Sequence, residues 1–194
     1  GSTRVIEGKM INEYYMLQPY KGNGNGFNAD GTVNINGGPR DGMIRTVDDM
    51  KWLNAMVGAG YKFYPRQNVS KSGIWYGDYI YADLNGDGII DDNDRTMIGN
   101  GMPKHTGGFT NNFEYKGFDL SIFFQWSYGN DVLNANRLFF ENSNKARDLN
   151  QYASYADRWT PENPNSNIPR ATDSGSNKVF STRIICLLYT SDAA

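Results

Sequence analysis

Phe118-Asp119-Leu120-Ser121-Ile122-Phe123-Phe124-Gln125-Trp126-Ser127-Tyr128 is the stretch from which a fold follows. Its even positions are Phe, Leu, Ile, Phe, Trp and Tyr, and its odd positions are Asp, Ser, Phe, Gln and Ser. A period of two puts one greasy face and one mostly polar face on an extended chain. Eleven residues at about 3.3 Å each, tilted about 45°, cover about 25 Å along a membrane normal. That is the height of the apolar band of an outer-membrane barrel, whereas a strand of a soluble sheet usually stops near five or six residues. Just upstream, Gly107 to Tyr115 alternates Phe109, Phe113 and Tyr115 against Thr110, Asn112 and Glu114. Only Lys116-Gly117 separates the two runs, which predicts a tight hairpin.

Composition agrees with a strand-rich chain. The 194 residues include 22 glycines and 14% aromatics, with a net charge of −2. Near-neutral charge provides no basic stripe for a phosphate backbone, so no nucleic-acid partner is expected. No run approaches the about 18 apolar residues that a spanning helix needs. The mean hydropathy of −0.63 leaves a membrane β-barrel open, because its strands alternate polar and apolar residues.

Outward from the hairpin, strands are expected near 11–20, 106–115, 118–128 and 179–185, with long polar loops over 21–105 and 129–178. A very short turn alternating with very long loops is the asymmetry of bacterial barrels, and the up-down parity of the four strands agrees with it. Lys21-Gly22-Asn23-Gly24-Asn25-Gly26 favours turns, and no Gly-Lys-Ser/Thr makes it a phosphate loop. Thr46 to Gly58 is expected to form a short helix that staples the first loop. Thr46 can cap its free N–H groups, Asp48 and Asp49 suit the first turn, and Met50, Leu53, Ala55, Met56 and Val57 supply a packing face. Trp159-Thr160-Pro161-Glu162-Asn163-Pro164 excludes regular structure from that part of the second loop.

The chain opens Gly1-Ser2-Thr3-Arg4, for which a cut inside a longer protein is expected, with a signal removed by processing as the alternative. Residues 186–194, Cys186 to Ala194, resemble one reading frame of a transposase-derived sequencing adapter, with a genuine strand end as the alternative. On the adapter reading the only cysteine is foreign, leaving no disulfide or thiolate chemistry.

One motif carries chemistry. Asp83-Leu84-Asn85-Gly86-Asp87-Gly88-Ile89-Ile90-Asp91-Asp92-Asn93-Asp94 follows the spacing of an EF-hand-type calcium loop. The expected metal ligands are Asp83, Asn85, Asp87, the Ile89 carbonyl, Asp91 and Asp94, with Gly88 at the sharp turn. Ca²⁺ takes six to eight hard oxygens, which such a loop can wrap around it. Asp94 stands where a bidentate Glu is usual, and no strong helix frames the loop, so an ion-free acidic turn is the alternative. No catalytic constellation accompanies it: His105 is the single histidine, and no nucleophile elbow, zinc motif or dinucleotide fingerprint occurs. No enzyme is expected. Trp52, Trp75, Tyr76 and Trp159 are expected to anchor the loops, with stacking on sugars as the alternative.

Taken in order, several pieces resemble the C-terminal half of SusC/RagA-type TonB-dependent transporters. They are Asp83 to Gly88, Asp94-Arg95, Ile98-Gly99, Pro103, Gly107-Gly108-Phe109, Tyr115 to Leu120, Gly129, Arg158 to Pro164, Ile168-Pro169-Arg170 and Ser181-Thr182-Arg183. The likeness spans about residues 5–185 and is strongest over 78–130, while 22–76 matches little. It implies that residues 1–185 are part of an all-β, antiparallel, 22-stranded transmembrane barrel in a bacterial outer membrane. Long extracellular loops and a short loop helix would complete this portion. The implied activity is import of glycan or peptide oligomers together with a SusD-like surface lipoprotein, powered by the TonB system. The plug and the TonB contacts fall outside this chain. A few strands cut from a closed barrel leave unpaired edges and a bare apolar face, so the chain alone is expected to aggregate. The alternative class is a soluble extracellular β-rich carbohydrate-binding module with a calcium site, in which Leu120, Ile122, Phe124 and Trp126 would pack against a second sheet.

Overall fold

The computed structural model describes residues 7–8, 13–141, 150–172, 185–187 and 190–193. The ordered elements are mostly strands, with few helices. They run β1 (Glu13–Met16), α1 (Val47–Gly58), β2 (Thr96–Asn100), β3 (His105–Tyr115), β4 (Phe118–Tyr128), β5 (Asp131–Leu133), α2 (Arg137–Phe140), β6 (Ile185–Leu187) and β7 (Thr190–Ala193). The chain divides into two units. Among the described residues, one gathers 13–15, 97–134 and the strands β6 and β7, and the other holds 16–96 and 135–172.

The first unit is built on the β3–β4 hairpin. All eleven residues of each strand pair, from Tyr115 opposite Phe118 to His105 opposite Tyr128. The turn needs positive φ at both central positions to match the twist of its strands. Lys116 has φ 48° and Gly117 φ 83°. Lys116 is the one non-glycine with positive φ among the described residues, and its ammonium lies 5.2 Å from the centre of the Tyr115 ring. β7 adds to β4 at Phe124–Ser127, giving the order β3-β4-β7. β1 pairs with β2, and β5 with β6. Asp131 ties this unit together: its carboxylate accepts the Asn100 N–H at 2.9 Å, and its carbonyl accepts the Tyr14 hydroxyl at 3.2 Å.

The second unit has its own core. Leu17, Ile44, Trp52, Leu53 and Ile80 are fully buried, and Met43, Met56, Phe63, Ile74, Tyr81 and Ile90 nearly so. α1 forms because its ends are locally satisfied. The Thr46 hydroxyl accepts the Asp49 N–H at 3.0 Å, and the Asp49 carboxylate accepts the Thr46 N–H at 2.9 Å, a complete capping box. The helix then buries Met50, Trp52, Leu53 and Met56. Beneath it, three short extended pieces exchange single pairs of backbone hydrogen bonds: Ala82 N–H to Gln18, Tyr20 N–H to Ile80, Ile80 N–H to Gly42, and Ile44 N–H to Asp78.

The structure bears on the expected strand and loop bounds as follows. The first strand is Glu13–Met16; Ile11 and Asn12 lie outside the described residues, and Pro19, which has no N–H for a ladder, makes only an isolated bridge to Tyr81. The stretch 21–105 holds a packed core and the strand β2, so it is more than a loop. Residues 173–184, most of the strand expected near 179–185, lie outside the described residues, and the backbone of 185–187 and 190–193 is in strands.

Candidate functional site

The hairpin presents two faces of opposite chemistry. Directly paired residues of an antiparallel ladder share a face. One face therefore holds Gly107 with Trp126, Phe109 with Phe124, Asn111 with Ile122, Phe113 with Leu120, and Tyr115 with Phe118. The Phe109 and Phe124 rings stack at 4.8 Å. The other face holds Thr106 with Ser127, Gly108 with Gln125, Thr110 with Phe123, Asn112 with Ser121, and Glu114 with Asp119. There the Ser121 hydroxyl donates to the Asn112 side chain at 2.7 Å. The apolar face is uncovered among the described residues, with Phe118 81%, Phe113 57% and Leu120 56% exposed. Two positions break the alternation, Asn111 on the greasy face and Phe123 on the polar one.

Aromatic side chains mark both ends of the greasy face, Tyr115 and Phe118 beside the turn, Trp126 and Tyr128 at the far end. His105 belongs to this far end. The Trp126 indole N–H donates to its Nδ1 at 2.8 Å and the two rings stack at 5.8 Å. The histidine thus pairs with an aromatic, and the proton sits on Nε2 in its neutral form.

The acidic loop folds onto its own backbone. The Asp83 carboxylate accepts the N–H groups of Gly86 at 2.7 Å and Gly88 at 2.8 Å. The Asn85 oxygen accepts from Asp87, the Asp87 carboxylate from Ile89, and the Asp91 carboxylate from Asn93. Asp94 is fully buried and receives three N–H groups, from Leu84 at 2.8 Å, Asn85 at 3.3 Å and Asp91 at 2.8 Å. It closes the loop from beneath. The loop is sewn to the core by Lys62, whose N–H reaches the Gly88 carbonyl and whose carbonyl receives the Ile90 N–H. Among the described residues no three His, Cys, Asp or Glu side chains gather as a metal cluster would. The donor types suit a hard cation, but each expected carboxylate is turned to a peptide N–H, so Ca²⁺ would have to share or redirect those oxygens.

Two features escaped the sequence reading. One is a cleft of about 430 Å³ between α1, the acidic loop and the segment 18–21. The other is a bowl of about 680 Å³ at the start of α1, lined by Arg40, Asp41, Arg45 and Asn167 among others. In the bowl Arg45 Nη1 reaches both Asp41 oxygens at 2.6 Å, and Nη2 reaches the Ser166 carbonyl and the Asn167 side chain. Of the loop aromatics, Trp52 is wholly interior, with its N–H on the Asn34 carbonyl at 2.8 Å. Trp159 stacks on Tyr76 at 6.3 Å.

No known family profile matches the chain. It is similar to three curated proteins of Formosa agariphila. It shares 45% identity with TonB-dependent receptor P26 over 91 residues, 47% of this chain and 9% of the relative. With TonB-dependent receptor P3 it shares 40% over 94 residues, 48% of the chain and 9% of the relative. With TonB-dependent receptor P39 it shares 53% over 57 residues, 29% of the chain and 6% of the relative. The match thus spans less than a tenth of each relative's length, and it supports taking the chain as a piece of a TonB-dependent receptor.

Proposed function

We propose that this chain is part of an outer-membrane TonB-dependent transporter of the SusC/RagA type, a non-enzymatic importer of glycan or peptide oligomers. In this reading β3 and β4 are neighbouring staves of a 22-stranded barrel. Their aromatic-ended face meets lipid, their Thr/Ser/Gln/Asn face lines the water-filled interior, and the stretches 21–105 and 129–178 are extracellular. These shape the mouth and meet a SusD-like lipoprotein, while the TonB system acts on parts outside this chain.

The observation that carries the proposal is the uncovered greasy face of an eleven-residue paired hairpin, bounded by aromatics at both ends. An aromatic girdle at each interface with an apolar band between is what a lipid bilayer selects on a barrel exterior. The Formosa agariphila likenesses point the same way. Spin labels at Leu120, Phe124, Ser121 and Gln125 of the full-length gene product in vesicles test it. The first pair should be oxygen-accessible in lipid and the second pair accessible to water-soluble relaxants; four labels in a dry core would support the soluble carbohydrate-binding module instead.

Calcium in the loop Asp83–Asp94 belongs to this proposal on its donor set: Asp83, Asn85, Asp87, the Ile89 carbonyl, Asp91 and Asp94. Terbium luminescence sensitised by Tyr61, which lies against Gly88, tests it. Saturable emission displaced by Ca²⁺ supports the site, and its absence assigns the loop to an ion-free acidic turn.

A further inference from the structure

The cleft between α1, the acidic loop and the segment 18–21 has the chemistry of a binding site. Its walls and floor are rings: Tyr20, Trp52, Tyr61, Phe63 and Tyr81. Ile35 and Leu84 also line it and are 52% and 48% exposed, so part of its apolar lining stands open to water. At about 430 Å³ it falls within the range of small-molecule sites, which are concave and mostly apolar with a few placed polar groups.

The polar groups decide what kind of molecule fits. One wall hydroxyl and the wall carboxylate are already engaged, the first as a donor and the second as an acceptor. The Tyr20 hydroxyl lies 2.7 Å from the carbonyls of both Ile35 and Gly37, and the Asp83 carboxylate holds the Gly86 and Gly88 N–H groups. Among the charged groups of the lining, what remains available is a donor. Lys21 lines the cleft, is exposed, and has no ion-pair or hydrogen-bond partner among the described residues. The Asn36 and Gln18 side chains stand on the same lining. One ammonium beside an apolar slot matches one anionic group attached to one ring.

We propose that this cleft binds an aromatic carboxylate, free or carried as a substituent on a larger oligomer, with the ring between Tyr20 and Tyr61 and the carboxylate on Lys21. The site lies wholly within the second unit and stands whether or not the hairpin faces lipid.

The test uses the full-length protein in lipid nanodiscs, with 3-phenylpropionate as the probe, 3-phenylpropanol as its uncharged match and empty nanodiscs as the blank, followed by saturation-transfer NMR and calorimetry. Saturable binding of 3-phenylpropionate is expected, weakened about tenfold by Lys21→Gln, the loss of one charge-assisted hydrogen bond. Binding of 3-phenylpropanol should be weaker and unchanged by Lys21→Gln. Leu84→Trp, which adds bulk from an exposed position of the lining, should abolish binding of both. No saturable signal above the blank, or equal affinity in Lys21→Gln, overturns the inference, and so does displacement of the probe by maltotetraose, which would make the cleft a saccharide seat. Lys21→Gln alters only a solvated side chain and keeps the test decisive if Leu84→Trp fails to fold. Fractionation of the same full-length protein tests the membrane reading separately.

Discussion

Arg170 grips Asp78 across 92 residues of sequence: its Nε lies 2.9 Å from Oδ1 and its Nη2 2.9 Å from Oδ2. Asp78 is fully buried, and its Oδ2 also accepts the Trp75 N–H at 2.9 Å. The guanidinium further donates to the Lys71 carbonyl, and the Arg170 N–H reaches the Gly77 carbonyl. This one side chain pins the segment 150–172 onto the turn at 71–78.

Arg170→Ala would strip two parallel charge-assisted bonds from a buried carboxylate, a change that costs about 3–5 kcal/mol. Hydrogen exchange on the full-length protein should show lost protection at Trp75, Gly77 and Asp78, with little change in β3 and β4. Arg170→Lys should recover little, since an ammonium cannot reproduce the two parallel bonds.

Ile122 lies near the middle of β4 on the greasy face, and Ser121 beside it lies on the polar face. Ile122→Arg should destabilise the barrel by about 2–4 kcal/mol if that face meets the bilayer core, whereas Ser121→Arg should cost far less. Urea titration of the refolded full-length protein in vesicles measures both. Equal costs would contradict the lipid-facing assignment.

Gly38 has φ +72°, and a Cβ there would fall 2.5 Å from Trp52 Cε3. The Trp52 ring is fully buried and cannot retreat. Gly38→Ala combines left-handed strain with overpacking and should cost about 2–4 kcal/mol. Faster proteolysis of the second unit is the expected readout.

Burial, and secondarily the neighbouring Tyr61, pushes the Tyr20 phenol up to about 12 from its ordinary 10.0. The folded state holds this proton more tightly than the unfolded chain, so its contribution is complete below pH 10. It is lost as pH rises from 10 towards 12. Pulse proteolysis of the full-length protein against pH should show this alkaline loss. Tyr20→Phe should flatten the profile while lowering stability at neutral pH by about 1 kcal/mol, through the lost hydroxyl hydrogen bond.

How far the sequence discloses this molecule depends on how local each signal is. The period of two in Phe118–Tyr128, the two-residue turn Lys116-Gly117 and the cap Thr46 with Asp49 all act within a few residues. The hairpin and α1 are accordingly legible to within a residue or so. The spacing of Asp83 to Asp94 is legible too, but not the direction of its carboxylates. That direction depends on Asp94 being drawn inside to receive the N–H groups of Leu84, Asn85 and Asp91.

Sequence alone therefore determined a paired, two-faced β-hairpin, a capped helix and a loop rich in hard oxygens, because backbone periodicity, turn chemistry and capping are short-range. Only the tertiary structure decided that the long polar stretches enclose a core and an aromatic cleft. Their contacts are single bridges such as Met43 with Tyr79, and long reaches such as the Tyr79 hydroxyl to the Asn167 carbonyl and Arg170 to Asp78. Such contacts leave no periodic mark on the chain, since each joins residues whose proximity exists only once everything between them has folded.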